Sequence, residues 1–261
     1  MRFAEPCRRT KLLRLWLAGI TLFAAISTPV AAQPPGLVVS VAASIHDALA
    51  EIVGLYRGAT GVAVALNTGG SNTLARQIVE GAPVGLFLSA DDLQMDVVEK
   101  AGRLVPGTRT PLLTNELAVV APHDAPADFT LERLLEGRVT RLAMGEPSAV
   151  PAGVYGRRWL EHQQAWARLS PKVVPFPTVR AVLSAVEAGR VDAGIVYRTD
   201  AATSSVRVVA RITPQDHPYL NLVQPAAVIA GPMAAEARRF LEFLKSAPAR
   251  AVFTKRGFGL R

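Results

Sequence analysis

The run Val62-Ala63-Val64-Ala65-Leu66, followed closely by Gly69-Gly70-Ser71-Asn72-Thr73-Leu74-Ala75-Arg76-Gln77-Ile78, decides how this chain is read. The first five residues are an apolar run of strand type. Beyond the glycines, Leu74, Ile78 and Val79 recur at helical spacing. The glycine pair lets the backbone come close to a neighbour. Ser71 stands where an N-cap belongs. Such a turn gathers a hydroxyl, several N–H groups without intrahelical acceptors and the positive end of a helix dipole at one point. Two readings follow: a plain strand-turn-helix junction with a serine cap, or an anion site that carries no formal charge.

A second segment has the same chemistry. Val38-Val39-Ser40-Val41-Ala42-Ala43 reads as a buried strand, and His46-Asp47-Ala48-Leu49-Ala50-Glu51-Ile52 as a helix. Ser44 and Asp47 have the S-x-x-D spacing of a capping pair. Two serine-bearing helix starts at the carboxyl ends of strands also fit the ligand crevice of an open α/β sheet.

Alternation of strand and helix continues. Strands are expected at 84–89, 115–121, 141–144, 172–176, 193–197, 206–212 and 226–230, and helices at 92–101, 131–135, 154–169, 179–188 and 234–246. Repeated βα units imply an α/β protein with mainly parallel sheets. No flexible linker interrupts them, so two lobes would be joined by structured crossings near Thr114 to Ala121 and Tyr219 to Val228.

The N-terminus has a different character. Arg2, Arg8, Arg9, Lys11 and Arg14 precede the apolar run Leu15 to Ile26, and Val30-Ala31-Ala32 offers small residues for cleavage. This is the pattern of a secretion signal. It predicts an exported protein cut near Ala32, before Gln33. The one cysteine, Cys7, lies ahead of the apolar run, so the mature chain would hold no thiol or disulfide. The net charge of +8 includes +4 from the signal (five basic residues and Glu5), leaving +4 for the mature chain. Its basic residues are dispersed and aromatics are few, which argues against a nucleic-acid partner.

The second half supplies a matching set of turns. Glu146-Pro147-Ser148-Ala149-Val150-Pro151-Ala152-Gly153-Val154-Tyr155 places a Pro-Ala-Gly turn at a helix start. Pro177-Thr178-Val179-Arg180 opens another helix, and Gly194-Ile195-Val196-Tyr197 ends a strand with a phenol. Singly, each also reads as a turn, a cap or a buried tyrosine.

As an ordered set they are specific. The chain resembles the periplasmic molybdate-binding proteins of ABC import systems. The resemblance rests on Ala42-Ala43-Ser44, Gly70-Ser71 with Thr73 to Ile78, Phe87 to Asp91, Asn115-Glu116-Leu117, Val150 to Gly153 with Tyr155, Val179-Arg180, and Gly194 to Tyr197 with Asp200-Ala201. It implies a two-lobed type II periplasmic-binding-protein fold, each lobe a mainly parallel sheet flanked by helices, with a hinge between. Lobe 1 would be 33–114 plus 222–261, and lobe 2 would be 115–221, after a signal at 1–32. It further implies that Ser44 and Ser71 bind molybdate from one lobe, and that Ala152 and Val179 (by backbone N–H) and Tyr197 (by its phenol) bind it from the other. These five would meet the metal only as its oxyanion. No cofactor is implied; the ligand is molybdate or tungstate, the partner is the importer's membrane permease, and the protein is a periplasmic monomer. Glu146, where relatives carry Asp, and Asn72, where they carry small residues, depart from the pattern.

A donor-only site suits a tetrahedral dianion that carries no proton. A protonated phosphate would leave its own O–H unpaired there. Arg76 and Arg180 lie past the helix mouths and are expected to make surface or interlobe contacts rather than to touch the ligand. The rival class is a serine hydrolase, because Gly69 to Thr73 misses the G-x-S-x-G elbow only at Thr73. Its base would have to come from His46, His123, His162 or His217, none tied by a motif to Ser71. Sulfate or another tetrahedral oxyanion is the alternative ligand.

Overall fold

The computed structural model describes residues 36–261. The proposed signal and its cleavage point near Ala32 lie outside the described residues.

The chain enters through β1 (Leu37–Ala42), a 3₁₀ turn (Ala43–Ile45) and α1 (His46–Thr60). Then come β2 (Val64–Gly69), α2 (Ser71–Val79), β3 (Leu86–Leu88), α3 (Asp92–Lys100) and β4 (Thr110–Thr114). A second series follows: β5 (Leu117–Ala121), α4 (Leu131–Leu135), β6 (Leu142–Gly145), α5 (Pro151–His162), α6 (Trp166–Leu169) and β7 (Val173–Phe176). It continues through α7 (Val179–Glu187), β8 (Ala193–Tyr197), α8 (Arg198–Ala201) and β9 (Arg207–Ile212). The chain then returns with β10 (Val223–Val228), α9 (Ala234–Leu244), α10 (Ala247–Lys255) and β11 (Gly259–Leu260).

Two sheets result, a six-stranded one ordered β11-β4-β10-β3-β1-β2 and a five-stranded one ordered β7-β6-β8-β5-β9. The first takes its strands from both ends of the described chain, the second from the middle, giving two lobes. The strand directions are more mixed than the expected mainly parallel sheets. β1 pairs parallel with β2 and β3, and β6 with β7 and β8. The remaining pairings, of β10 with β3 and β4, β11 with β4, and β5 with β8 and β9, are antiparallel. The cause is the crossings: strands that enter or leave a lobe run against its βα core. The two crossings lie side by side, with the Asn115 N–H donating to the Leu222 carbonyl at 3.1 Å.

Register fixes where the loops emerge. Ala42 pairs with Gly69 and Val41 with Leu88, so β1, β2 and β3 end together. Gly145 pairs with Phe176 and Ala143 with Gly194, so β6, β7 and β8 do likewise. The segments that follow these strand ends are the ones that face each other across the cleft.

Apolar stripes hold the helices to the sheets. In α7, Val179, Val182, Leu183 and Val186 are buried at i, i+3, i+4 and i+7, each contributing roughly 1.5–3 kcal/mol through burial. In α2 the buried stripe is Ser71, Leu74, Ala75 and Ile78. The serine thus extends an apolar face and turns its hydroxyl inward. Helix α5 starts at Pro151, earlier than expected, because proline suits the first helical position. The single helix expected over 154–169 is broken between α5 and α6, where Gln164 has φ of 55°. Strands β4 and β11 and helix α10 were not anticipated.

Candidate functional site

A small cavity of about 20 Å³ lies between the lobes, room for one compact guest and not for an extended one. Ala42, Ala43, Ser44, Gly70, Ser71 and Ala90 line it from the first sheet's side, and Val150, Pro151, Ala152, Thr178, Val179 and Tyr197 from the second's. All five residues expected to bind ligand, Ser44, Ser71, Ala152, Val179 and Tyr197, are brought together there.

The donors arise from local structure. The first intrahelical bonds run from Leu74 N to Gly70 O, Val154 N to Val150 O and Val182 N to Thr178 O. The N–H groups ahead of those bonds, including those of Ser71, Ala152 and Val179, have no helical carbonyl to reach. Three helix N-termini therefore point their unpaired donors and positive dipole ends at one cavity. The 3₁₀ turn that carries Ser44 adds a fourth start.

The hydroxyls separate the cap reading from the ligand reading. Gly70 caps α2, Ser71 is its first helical residue, and no side chain makes a cap bond there. The Ser71 Oγ instead accepts from the Ala90 N–H at 2.9 Å. One of its lone pairs is thereby engaged, and its proton is left to donate. Ser44 is likewise no cap: Ile45 caps α1 without a side-chain bond. The Ser44 Oγ is buried and has no hydrogen-bond partner among the described residues. Such a group costs free energy unless something pairs with it.

Tyr197 comes from the end of β8 and is 1% exposed. Its Oη donates to the Ala90 carbonyl across the cleft at 3.2 Å. Burial pushes its phenol well above the usual tyrosine range, so it stays a donor at physiological pH. Ala90 therefore braces one hydroxyl from each lobe, through its N–H and its carbonyl. In the sequence Ala90 is visible only within the Phe87 to Asp91 motif, which gives no sign of this role. Thr178 also joins the wall, beside Gly70, whose close approach the sequence suggests.

Two carboxyls stand behind the cavity. Burial pushes Asp91 up to about 6, although the Gln94 N–H it caps pulls the other way. Burial also pushes Asp200 up to about 7, against the pull of Arg180 and with Asp47 adding to the rise. A carboxyl whose folded pKa exceeds its unfolded value holds its proton more tightly when folded. Its stabilising contribution is complete below the unfolded value and is lost as pH climbs through the folded one. Asp200→Asn is therefore expected to flatten the stability profile between about pH 4 and about 7. The wild-type melting temperature should fall relative to the variant as pH rises over that window. Parallel thermal-denaturation curves would contradict this.

The described chain matches the family model for bacterial extracellular solute-binding proteins over residues 37–259. The chain belongs to this family. It is 38% identical over 259 residues to the molybdate-binding protein ModA of Escherichia coli (strain K12), covering 95% of this chain and 99% of that one. The periplasmic molybdate-binding protein of Azotobacter vinelandii superposes with a TM-score of 0.76 at 25% identity, covering 86% of this chain and 99% of that one. A substrate binding domain assigned to a molybdenum ABC transporter of Clostridium difficile gives 0.67 at 31% identity, covering 86% and 98%.

In this solute-binding protein the remaining polar residues have other duties. Arg76 is exposed on α2. Arg180 is turned to carboxylates, its Nη2 lying 2.7 Å from Asp47 Oδ2. Glu146 stays in its own turn, where its Oε1 accepts from the Ser148 hydroxyl at 2.9 Å. Among the hydrolase candidates, His46 Nδ1 lies 2.8 Å from Thr68 Oγ1, and His162 stacks on Tyr219. Ser71 is bonded to a backbone N–H, which can take no proton from it.

Proposed function

We propose that this solute-binding protein captures molybdate, and tungstate with it, in the interlobe cavity and hands it to the membrane permease of an ABC importer without chemical change. The observation that carries the reading is a compact cavity walled by hydroxyls and helix-start N–H groups from both lobes. Ser44, Ser71 and Tyr197 would supply hydroxyl donors, and Ala152 and Val179 backbone donors. Bonds from neutral donors to a charged oxygen are strengthened by that charge, and the helix dipoles focus them. The names of the relatives in E. coli and A. vinelandii support the same ligand. Export to the periplasm accords with the family and with the N-terminal sequence.

Donors on both lobes make the ligand bind the closed arrangement better than the open one. Binding therefore shifts the population toward closure. The permease would recognise that closed form.

Tyr197→Phe is expected to weaken binding less than loss of a serine donor. The wild-type phenol must release the Ala90 carbonyl, now 3.2 Å away, to reach the anion. Only the difference between the two bonds is gained, an effect of roughly 0.5–1.5 kcal/mol. Affinity measured on the variant checks this; a loss exceeding that of Ser71→Ala would contradict it.

Calorimetric titration of the ligand-free protein with molybdate, tungstate, sulfate and phosphate tests the function. One-to-one heats with molybdate and tungstate, and none with phosphate, are expected. Tighter binding of sulfate than of molybdate would move the assignment to sulfate. No heat with any of the four would overturn it.

A further inference from the structure

Arg180 is the second residue of α7, directly after Val179 on the cavity wall, and it bridges the lobes. Its Nη2 lies 2.7 Å from Asp47 Oδ2 in the first turn of α1, across the cleft. Its Nε lies 3.0 Å from Asp200 Oδ1, in its own lobe. Asp200 is 0% exposed, whereas the Arg180 and Asp47 side chains are 34% and 37% exposed. One face of the guanidinium is therefore anchored in the second lobe while the other reaches solvent-accessible carboxylate on the first.

We propose that the Arg180–Asp47 pair is a latch that favours closure of the cleft and slows ligand release without touching the ligand. Asp200 positions the arginine. The pair sits one step behind the cavity: Asp47 follows Ser44 by one helical turn, Asp200 follows Tyr197, and Arg180 follows Val179. Closure sets helix N-termini from the two lobes against each other. Their like-signed dipole ends oppose closure, and an ion pair formed only on closure offsets that. With Nη2 donating to Asp47 and Nε lying against Asp200, the guanidinium leaves the cavity wall to neutral groups. A cation that joins the lobes thus remains outside the site itself.

The latch rests on the proposed function for its effect on ligand release, but not for its effect on closure. Asp47→Asn removes the exposed partner and leaves the buried Arg180–Asp200 contact intact, so the fold should survive. Arg180 substitutions would strand Asp200 and are avoided. Spin labels on cysteines placed at exposed Glu80 and Arg190, one on each lobe, report the interlobe distance. In the ligand-free protein, Asp47→Asn should deplete the short-distance population relative to wild type, and Asp47→Glu should restore it. With molybdate, release measured by stopped-flow competition should be about two- to fivefold faster in Asp47→Asn, in line with a partly exposed ion pair. Distance distributions that coincide without ligand overturn the latch, whatever molybdate does. A wild-type distribution that does not respond to molybdate counts against the ligand assignment instead, and leaves the comparison of the two ligand-free proteins decisive for the latch.

Discussion

Gly70→Ala is expected to lower molybdate affinity by roughly five- to a hundredfold while leaving the ligand-free protein as stable as wild type. Gly70 has φ −67° and ψ 136°, which alanine adopts freely. The obstacle is space, not conformation. A Cβ there would stand 2.8 Å from the Pro177 carbonyl oxygen, which belongs to the opposite lobe, and 2.8 Å from Asn72 Oδ1. The Asn72 side chain can swing away; the Pro177 backbone moves only if the lobes part. Forcing a methyl group into a tight contact costs about 1–3 kcal/mol, and each 1.4 kcal/mol is about tenfold in affinity. That cost falls on the closed form alone. Small-angle scattering of the variant with saturating molybdate should show a larger radius of gyration than wild type. Equal affinity together with equal compaction would show that the lobes close without needing this glycine.

Ser71→Ala is expected to cost about 1.5–3 kcal/mol of binding, or roughly ten- to a hundredfold in affinity, by removing a hydrogen bond to a charged ligand. It should also lower the melting temperature of the ligand-free protein. The Ala90 N–H, 2.9 Å from the serine oxygen, loses its acceptor in a buried position. A buried donor left unpaired costs roughly 1–3 kcal/mol. The protein should nevertheless fold, because Leu74, Ala75 and Ile78 still anchor α2. Calorimetry and thermal denaturation on the same variant separate the two duties of the hydroxyl. A lower melting temperature with unchanged affinity would mean that Ser71 only braces the Ala90 loop.

Much of this arrangement is legible in the sequence, for identifiable reasons. Strand β8 and helices α4 and α7 follow from apolar patterning, because each buries one continuous face or run. The face of α2 is legible through Leu74 and Ile78, but Ser71, expected as an N-cap, is instead its first helical residue and lies on that buried stripe. The start of α5 is marked by Pro151, three residues ahead of the apolar periodicity that begins at Val154. The cap spacing of Ser44 and Asp47 misled, because a 3₁₀ turn intervenes before α1.

Other features lie beyond local pattern. Strand direction is set by how the chain crosses between lobes, which no window of residues records. Strand β4 contains Pro111, and β11 spans only Gly259–Leu260, so neither carries a strong strand signal. The bracing role of Ala90 depends on Ser71 and Tyr197, far away in sequence, meeting its two backbone groups. An alanine offers no side-chain chemistry to announce that role. Likewise, the link from Arg180 to Asp47 exists only once the lobes face each other.

The most direct test is a crystal structure of the protein with molybdate, with the metal located by its anomalous scattering. One peak is expected, between the α2 and α7 N-termini. Its oxygens should lie about 2.6–3.2 Å from the Ser44, Ser71 and Tyr197 hydroxyls and from the Ala152 and Val179 N–H groups. A peak elsewhere, or one ligated by a carboxylate, a histidine or the Arg180 guanidinium, would contradict a site built from neutral donors of both lobes.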